Sequence, residues 1–229
     1  MLHRPIISWA SGACAHQTAQ RIFVLTEKVF VIGFQKTGTT SMGAALEKLG
    51  YQLGGGFRVN HPRGVPIPLP ITQDKLANAA RSFALRADAF EDNPWPIVFK
   101  EMDQAFPGSK FILTRRDPGS WIDSMKRHFG EHGNPMRTFI YGNGSPVGNE
   151  TQYVCRYQRH IDEVMAHFVD RPDDLMILNL ETVEWADLCA FLDKAVPEEP
   201  FPHRNKAEDR TGVVSKVAGA MGKIFSRDG

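Results

Sequence analysis

Hydrophobic positions along the chain form short continuous runs that are separated by longer stretches with helical spacing. Val29 to Ile32 and Lys110 to Thr114 are the clearest runs, and Leu175 to Leu180 is a third. Runs of β-branched and aromatic residues are typical of strands buried on both faces of a parallel sheet. Their alternation with helical stretches predicts an α/β fold with a mainly parallel central sheet flanked by helices.

Apolar residues that recur at helical spacing predict the helices. After the first strand, Thr39 to Leu49 has an apolar face, and Gly50 stands where a helix would end. A short extended segment is predicted near Ala84 to Phe90. The remaining predicted helices are Gln73 to Ser82, one after Pro94, Pro118 to about His128, Thr151 to Phe168, and a short one carrying Trp185, Leu188, Cys189 and Leu192.

Two segments rich in glycine and proline interrupt this pattern. Tyr51 to Pro70 is predicted to be a long loop. Gly130 to Asn149 contains Gly, Asn and Pro around Phe139 and Tyr141, and it is predicted to be a mobile flap whose aromatic residues line an acceptor pocket or fix the loop to the core.

The chain is interpreted as one domain with two terminal extensions. Residues 1–27 form an N-terminal arm, residues 28–206 form the domain, and residues 207–229 form a tail. The tail has apolar residues between Val213 and Phe225 and resembles a weak amphipathic helix. Packing of this tail on the domain is the simpler expectation, and membrane contact is not expected.

Charge and cysteine content narrow the class of protein. The formal net charge is +1, which argues against a general nucleic-acid surface, so recognition of anions must depend on a few placed basic residues. Cys14, Cys155 and Cys189 lack the spacing of metal ligands and are read as unpaired thiols. This pattern fits a reducing compartment and predicts a cytoplasmic protein.

The loop between the first strand and the first helix has the features of an anion site. In Gly33 to Ser41 the backbone N–H groups at the helix start and the positive end of the helix dipole point at one place. Lys36 adds a full charge, and four hydroxyl groups add donors. ATPase loops instead carry lysine directly after the second glycine, where this chain has Thr39. The loop therefore suits phosphate or sulfate better than ATP hydrolysis.

The segment Lys36-Thr37-Gly38-Thr39-Thr40 resembles the 5'-phosphosulfate loop of the sulfotransferases that use 3'-phosphoadenosine 5'-phosphosulfate (PAPS). The resemblance implies a P-loop-like sulfotransferase fold and sulfuryl transfer by in-line displacement, with adenosine 3',5'-bisphosphate as product and no metal. It also implies that Lys36 stabilises the leaving group. The residues it implies for donor binding in this loop are Lys36, Thr37, Gly38, Thr39, Thr40 and Ser41.

A second signature of this family is an arginine that ends a strand and a serine on the next helix, which together bind the 3'-phosphate. Arg116 follows the Lys110 to Thr114 strand, and Ser124 lies on the next helix at the family's spacing. Arginine suits a dianionic phosphate because its guanidinium is planar and permanently charged. Arg115 is the competing candidate. His203, Arg204 and Lys206 could also reach the nucleotide, or belong to a solvated loop.

Transfer to a hydroxyl requires a group that removes its proton. In cytosolic sulfotransferases a histidine two residues before a proline has this role, and Asp92 stands at that position before Pro94. Asp92 is therefore the candidate base, and burial could raise its pKa. The competing carboxylates are Asp88, Glu91 and Glu101. His128 and His160 lie on predicted helices and are interpreted as structural or surface histidines.

Two other functions fit parts of the sequence. A P-loop nucleotide or small-molecule kinase has the same strand, loop and helix, and a non-catalytic module would bind the nucleotide without transfer. The expected partner of the sulfotransferase is a small-molecule or glycan acceptor. The sequence names neither the acceptor nor the oligomeric state.

Overall fold

A computed structural model describes residues 27–56, 66–179 and 182–202. Within these ranges the strands are β1 (Val29–Val31), β2 (Ala89–Phe90), β3 (Lys110–Arg115) and β4 (Leu175–Asn179). The helices are α1 (Thr39–Lys48), α2 (Gln73–Ala84), α3 (Phe99–Ala105), α4 (Pro118–Phe129), α5 (Pro135–Tyr141), α6 (Glu150–His167) and α7 (Trp185–Leu192).

The four strands form one parallel sheet in the order β2-β1-β3-β4. The prediction of an α/β fold with a parallel sheet flanked by helices is thereby confirmed. β1 lies inside the sheet between β2 and β3, and the segments that follow these three strands leave the sheet at its carboxyl edge. In parallel α/β sheets this edge is where ligands bind.

Alternation of side chains along the strands divides the core into two layers. Phe30 and Phe111 point to the face covered by α2 to α6, whereas Val31 and Ile112 point to the face covered by α1 and α7. The first layer is rich in aromatic rings, and Phe30 stacks on Phe111 with ring centroids 5.4 Å apart. Burial on both faces explains why β1 and β3 are continuous apolar runs.

Most predicted elements are found at the expected places, but the predicted extended segment is shorter than expected. Ala84 is the last residue of α2, so the extended segment predicted near Ala84 to Phe90 is only the two-residue strand β2. The long loop is described only at its two ends, where residues 51–56 and 66–70 lie outside helices and strands.

The predicted flap contains the helix α5, which the sequence analysis did not predict, and the mobility of the segment stays a prediction. Asn134 caps α5 by accepting a hydrogen bond from the Arg137 amide at 2.8 Å, and Gly142 ends the helix with φ 80°. The Arg137 guanidinium donates to backbone carbonyls of the same segment, including that of Gly144 at 2.8 Å. Ile140 is buried in the aromatic layer. The Asn, Pro and Gly residues are therefore helix boundaries here.

The terminal segments of the sequence analysis fall mostly outside the described residues. This applies to the N-terminal arm up to residue 26, the C-terminal tail, Cys14, and the late basic cluster His203, Arg204 and Lys206. Cys155 is exposed, Cys189 is buried, and both are free thiols. None of the helices in the described ranges has the length and apolarity needed to cross a membrane.

Candidate functional site

Three chemically distinct segments follow neighbouring strands at the carboxyl edge of the sheet. The Gly33–Gly38 loop follows β1, Glu91 and Asp92 follow β2, and Arg116 follows β3. Because β1 lies between the other two strands, the loop has the carboxylates on one side and the arginine on the other. This places the Lys36 loop between the carboxylates of Glu91 and Asp92 and the guanidinium of Arg116.

The loop after β1 opens toward the start of α1. Lys36 has φ 70° and Gly38 has φ 106°, so the chain turns twice through the left-handed region. Gly38 is the N-cap of α1, and no side chain caps this helix end. A helix start without a side-chain cap leaves first-turn amides for an anion, in the field of the helix dipole.

The hydroxyl groups of the loop differ in what they contact. Thr37 is buried, and its Oγ1 donates to the Phe34 carbonyl at 2.6 Å and lies 2.6 Å from the Thr114 hydroxyl, so it fixes the loop to β3. Thr39 is buried and its side chain donates to Glu91. Thr40 is exposed, and Ser41 is buried on the first turn of α1. Thr40 is the hydroxyl most open to a ligand.

Gly33 is required by the close approach of the loop to β3. A Cβ atom at this position would lie 2.5 Å from the Thr114 carbonyl oxygen and closer still to its hydroxyl. We therefore expect Gly33→Ala to displace the loop and to lower the free energy of unfolding by about 1–3 kcal/mol or more. The measurement is urea unfolding, with Gly119→Ala at an exposed position of α4 as the control. An unchanged stability of Gly33→Ala would show that the loop has room to move.

Arg116 lies in a cavity of about 320 Å³ beyond the ends of β3 and β4. The cavity is lined by Arg115, Arg116, Asp117, Pro118, Ile177, Leu178 and Asn179. The Nε atom of Arg116 is buried and has no hydrogen-bond partner among the described residues, whereas Arg115 is exposed. A buried guanidinium N–H without an acceptor fits an anionic ligand, since such groups are normally paired.

Ser124 lies on α4, the helix that begins directly after Arg116. Asp117 caps this helix by accepting a hydrogen bond from the Ser120 amide at 2.8 Å, and Pro118 is its first residue. The hydrogen bond from this amide lowers the pKa of Asp117. Ser124 is partly exposed, while its neighbours Trp121 and Met125 are buried. Arg116 and Ser124 therefore belong to one strand-to-helix unit, as expected.

Glu91 has the environment of a proton acceptor. One of its carboxylate oxygens, Oε2, is buried without a hydrogen-bond partner among the described residues, and its side chain packs on Gly43 of α1. Burial raises the pKa of Glu91 to about 7, the charge of Asp92 adds to the rise, and the hydrogen bond from Thr39 opposes it. A carboxylate with this pKa can exchange a proton near neutral pH.

Asp92, the base expected from the sequence, lies beside Glu91 with a different environment. Its backbone has φ 67°, and its Oδ1 accepts a hydrogen bond from the Asn93 amide at 2.7 Å. That hydrogen bond holds the carboxylate against its own backbone. The charge of Asp92 also acts on the buried Tyr141 hydroxyl. The pair thus presents one desolvated carboxylate and one that is held by its own backbone.

The other competing groups are engaged elsewhere. Asp88 precedes β2 and interacts with Lys28 before β1, at the opposite edge of the sheet. Glu101 accepts a hydrogen bond from Gln73 at 2.9 Å, which joins α3 to α2. His160 is fully buried, and its Nε2 donates to the Ile32 carbonyl at 2.7 Å. Burial lowers the pKa of His160 to about 4, so this histidine is structural.

The sequence analysis did not select two aromatic residues that contact the Lys36 loop and the Arg116 segment. The Trp121 indole N–H donates to the Gln35 carbonyl at 2.9 Å, and the Tyr157 hydroxyl contacts the backbone of Arg116. Tyr141 is also buried, and its ring packs edge-on against Phe34 at 5.5 Å. This favours the reading in which Tyr141 fixes its segment to the core.

The described residues contain no group of three or more His, Cys, Asp or Glu side chains that could hold a metal ion. The expectation that no metal takes part stays a prediction. Among the described residues, the charged groups at the ends of β1, β2 and β3 include Lys36, the carboxylates of Glu91 and Asp92, the arginine pair and Asp117.

Comparison with known proteins finds a matching family and a distant curated relative. A family model described as "Sulfotransferase domain" matches residues 28–148 and 131–210, which is most of the chain. A curated relative, the "Ava biosynthesis cluster protein M" of Aspergillus versicolor, is 26% identical over 213 residues. That match covers 77% of this chain and 80% of the relative.

Proposed function

Since the chain belongs to the sulfotransferase-domain family, we propose that it transfers a sulfuryl group from PAPS to a hydroxyl or amine of a small-molecule or glycan acceptor. One observation carries this proposal. Two candidate anion-binding segments directly follow neighbouring strands, the Lys36 loop after β1 and Arg116 after β3. A nucleotide with phosphates at its 5' and 3' positions requires two such segments.

The residues present fit the bisphosphorylated donor. The uncapped start of α1 and Lys36 would hold the 5'-phosphosulfate. Arg116, whose buried Nε has no partner among the described residues, would hold the 3'-phosphate together with Ser124. The other predicted donor-binding residues would supply loop geometry, amides and hydroxyls; they are Thr37, Gly38, Thr39, Thr40 and Ser41.

The chemistry that PAPS supplies is a sulfuryl group joined to a phosphate that leaves without further activation. As the acceptor oxygen bonds to sulfur, the bridging S–O bond breaks and its electron pair stays on the phosphate oxygen. Lys36 would stabilise that growing negative charge. The acceptor proton would pass to a carboxylate after β2. We propose Glu91 for this step, with Asp92, the candidate from the sequence, as the alternative.

The base assignment predicts a pH dependence. The pKa of Glu91 is raised to about 7, so kcat/KM should rise as the pH increases through 7 and level above it, because only the deprotonated carboxylate accepts a proton. Glu91→Gln should remove the rising part of the pH profile (its acidic limb) and most of the activity. Asp92→Asn should keep the limb and move it to lower pH, because the charge of Asp92 contributes to the raised pKa of Glu91. If Asp92→Asn removes the limb and Glu91→Gln keeps it, the base is Asp92.

Stability gives a readout of Glu91 that does not depend on activity. The folded protein binds this proton more tightly than the unfolded chain, whose ordinary Glu pKa is 4.5. Stability should therefore fall as the pH rises from 4.5 to about 7. Above that range the penalty reaches about 3 kcal/mol. Glu91→Gln should raise the melting temperature at pH 8 and leave it unchanged at pH 4. The exposed Glu198→Gln is the control, and equal shifts in both variants would contradict the assignment.

Ligand preference separates the proposed function from its two alternatives. Adenosine 3',5'-bisphosphate should raise the melting temperature more than ATP with magnesium, and the reverse order would favour a P-loop kinase. In the kinase motif a lysine follows the second glycine. This chain has Thr39 there, and the side chain of Thr39 donates to Glu91.

Radiolabelled PAPS then tests transfer. Phenols, amino sugars, glycans and lipid alcohols are the acceptor classes to screen, with Lys36→Met as the inactive control. Binding of the bisphosphate without labelled product in any class would favour a non-catalytic module. The absence of nucleic-acid and membrane partners and the cytoplasmic location stay predictions.

A further inference from the structure

The loop that holds Lys36 is attached to α4 by one buried indole. Trp121 is fully buried, and its Nε1 donates to the carbonyl of Gln35, the residue directly before Lys36. The paired register of β1 and β3 ends at Val31 and Ile112, several residues before Lys36. Beyond that point Thr37 holds the loop to β3 through the Thr114 hydroxyl on one side of Lys36, and the Trp121 hydrogen bond holds it to α4 on the other side, at Gln35.

The segment that holds Arg116 is attached to α6 by one buried phenol. The Tyr157 hydroxyl accepts from the Arg116 amide at 2.9 Å and donates to the Arg116 carbonyl at 2.8 Å. Both peptide groups of Arg116 are thereby fixed by one atom. Burial raises the pKa of Tyr157, so the phenol stays neutral, as a hydroxyl that both donates and accepts must.

The two aromatic residues are in direct contact. The rings of Trp121 and Tyr157 are stacked, with centroids 4.3 Å apart and an angle of 13° between their planes. Both are 1% exposed or less, so neither ring can move without disturbing the close-packed core. A continuous buried path of contacts thus joins the Gln35 backbone to the Arg116 backbone.

We propose that Trp121 and Tyr157 are positioning residues that set the separation between the two anion-binding segments, an inference that rests on the proposed function. Binding both phosphates of one rigid adenosine gains the full affinity of both segments only when their separation is fixed in advance. The hydrogen bonds of the pair go to backbone groups of the two segments, and both rings are buried. The effect of the pair should therefore fall on bisphosphate ligands and not on ligands that occupy one segment.

The test is calorimetric titration of three ligands: adenosine 3',5'-bisphosphate, adenosine 5'-monophosphate and adenosine 3'-monophosphate. Tyr157→Phe keeps the ring and removes the hydroxyl. It should weaken bisphosphate binding by about tenfold, and each monophosphate by less than about twofold. Trp121→Phe should act in the same direction, and the double variant should lose less than the product of the two single losses, because both act on one separation.

A matched control lies one turn earlier on the same helix. Tyr153 is fully buried, and its hydroxyl donates to the Asn143 carbonyl at 2.8 Å. Tyr153→Phe loses one buried phenol hydrogen bond and should lower the melting temperature, with the ratio of bisphosphate to monophosphate affinity unchanged. This control separates a positioning role from a general loss of stability.

The possible outcomes are distinct. Equal weakening of all three ligands by Tyr157→Phe and Trp121→Phe, or no change in either variant, would overturn the positioning role and leave the proposed function intact. A wild-type protein that binds the bisphosphate no more tightly than the monophosphates would overturn the proposed function, and the positioning role with it. If Tyr157→Phe does not fold, Trp121→Phe gives the same comparison.

Discussion

Replacing Lys36 with methionine should lower turnover by about a hundredfold or more. The loop between β1 and α1 gives Lys36 the left-handed backbone with φ 70°, and the residue stands next to the uncapped start of α1. Its charge is expected to act on the oxygen that leaves sulfur, where negative charge grows only in the transition state. Affinity for adenosine 3',5'-bisphosphate should therefore fall less than turnover.

Release of the bisphosphate from PAPS, measured with the best acceptor of the panel, gives this turnover. Lys48→Met is the matched control, because Lys48 lies at the other end of α1 and pairs with Glu199. It should change neither turnover nor ligand affinity. A Lys36→Met enzyme that turns over at the wild-type rate would show that another group stabilises the leaving oxygen.

Replacing Arg116 with alanine should weaken adenosine 3',5'-bisphosphate binding by about 10- to 100-fold. The reason is the buried Nε, which has no acceptor among the described residues, on a residue that lines the cavity beyond β3 and β4. Adenosine 5'-monophosphate should bind nearly as well to the variant as to the wild type, since it lacks the 3'-phosphate. Arg116→Lys should recover only part of the loss, because an ammonium lacks the planar fork.

Parallel titrations of Arg115→Ala decide between the two adjacent arginines. Arg115 is exposed at the end of β3, and the smaller loss is expected there. Arg127→Ala, on an exposed position of α4, controls for the removal of one positive charge. A larger loss for Arg115→Ala than for Arg116→Ala would transfer the 3'-phosphate contact to Arg115.

The sheet could be predicted because β1 and β3 are continuous apolar runs in the sequence. Both strands are covered on two faces, so successive residues must be apolar. Phe30 and Val31 show this in β1, and Phe111 and Ile112 show it in β3. In these two strands the residue pattern predicts the same structure that tertiary packing requires. β2 has only Ala89 and Phe90 in the ladder, which is too short for a pattern, and so its bounds were predicted poorly.

The segment after α4 was mispredicted because its boundary residues resemble those of a loop. Asn134 and Pro135 start α5 and Gly142 ends it, and the helix has only two turns, too few for a clear hydrophobic period. Its stability depends on contacts that no local pattern contains, such as the stacking of Tyr141 on Tyr153 with ring centroids 4.1 Å apart.

The candidate anion-binding residues could be proposed from the sequence because the chemistry that suggests them is local. A strand, a glycine turn and a helix start suffice to predict the Lys36 loop. The difference between Glu91 and Asp92 depends on burial against Gly43 and Thr39 of α1, which lie far away in the sequence. Trp121 and Tyr157 were missed for the same reason, since a buried aromatic residue on a helix has no sequence signal that separates positioning from packing.

A crystal structure of the protein with adenosine 3',5'-bisphosphate tests the central claim most directly. The account predicts one nucleotide that spans the carboxyl ends of β1 and β3, with its 5'-phosphate on the Lys36 loop and its 3'-phosphate against Arg116 and Ser124. Density for the two phosphates in separate cavities, or for a 3'-phosphate that does not contact Arg116, would contradict it.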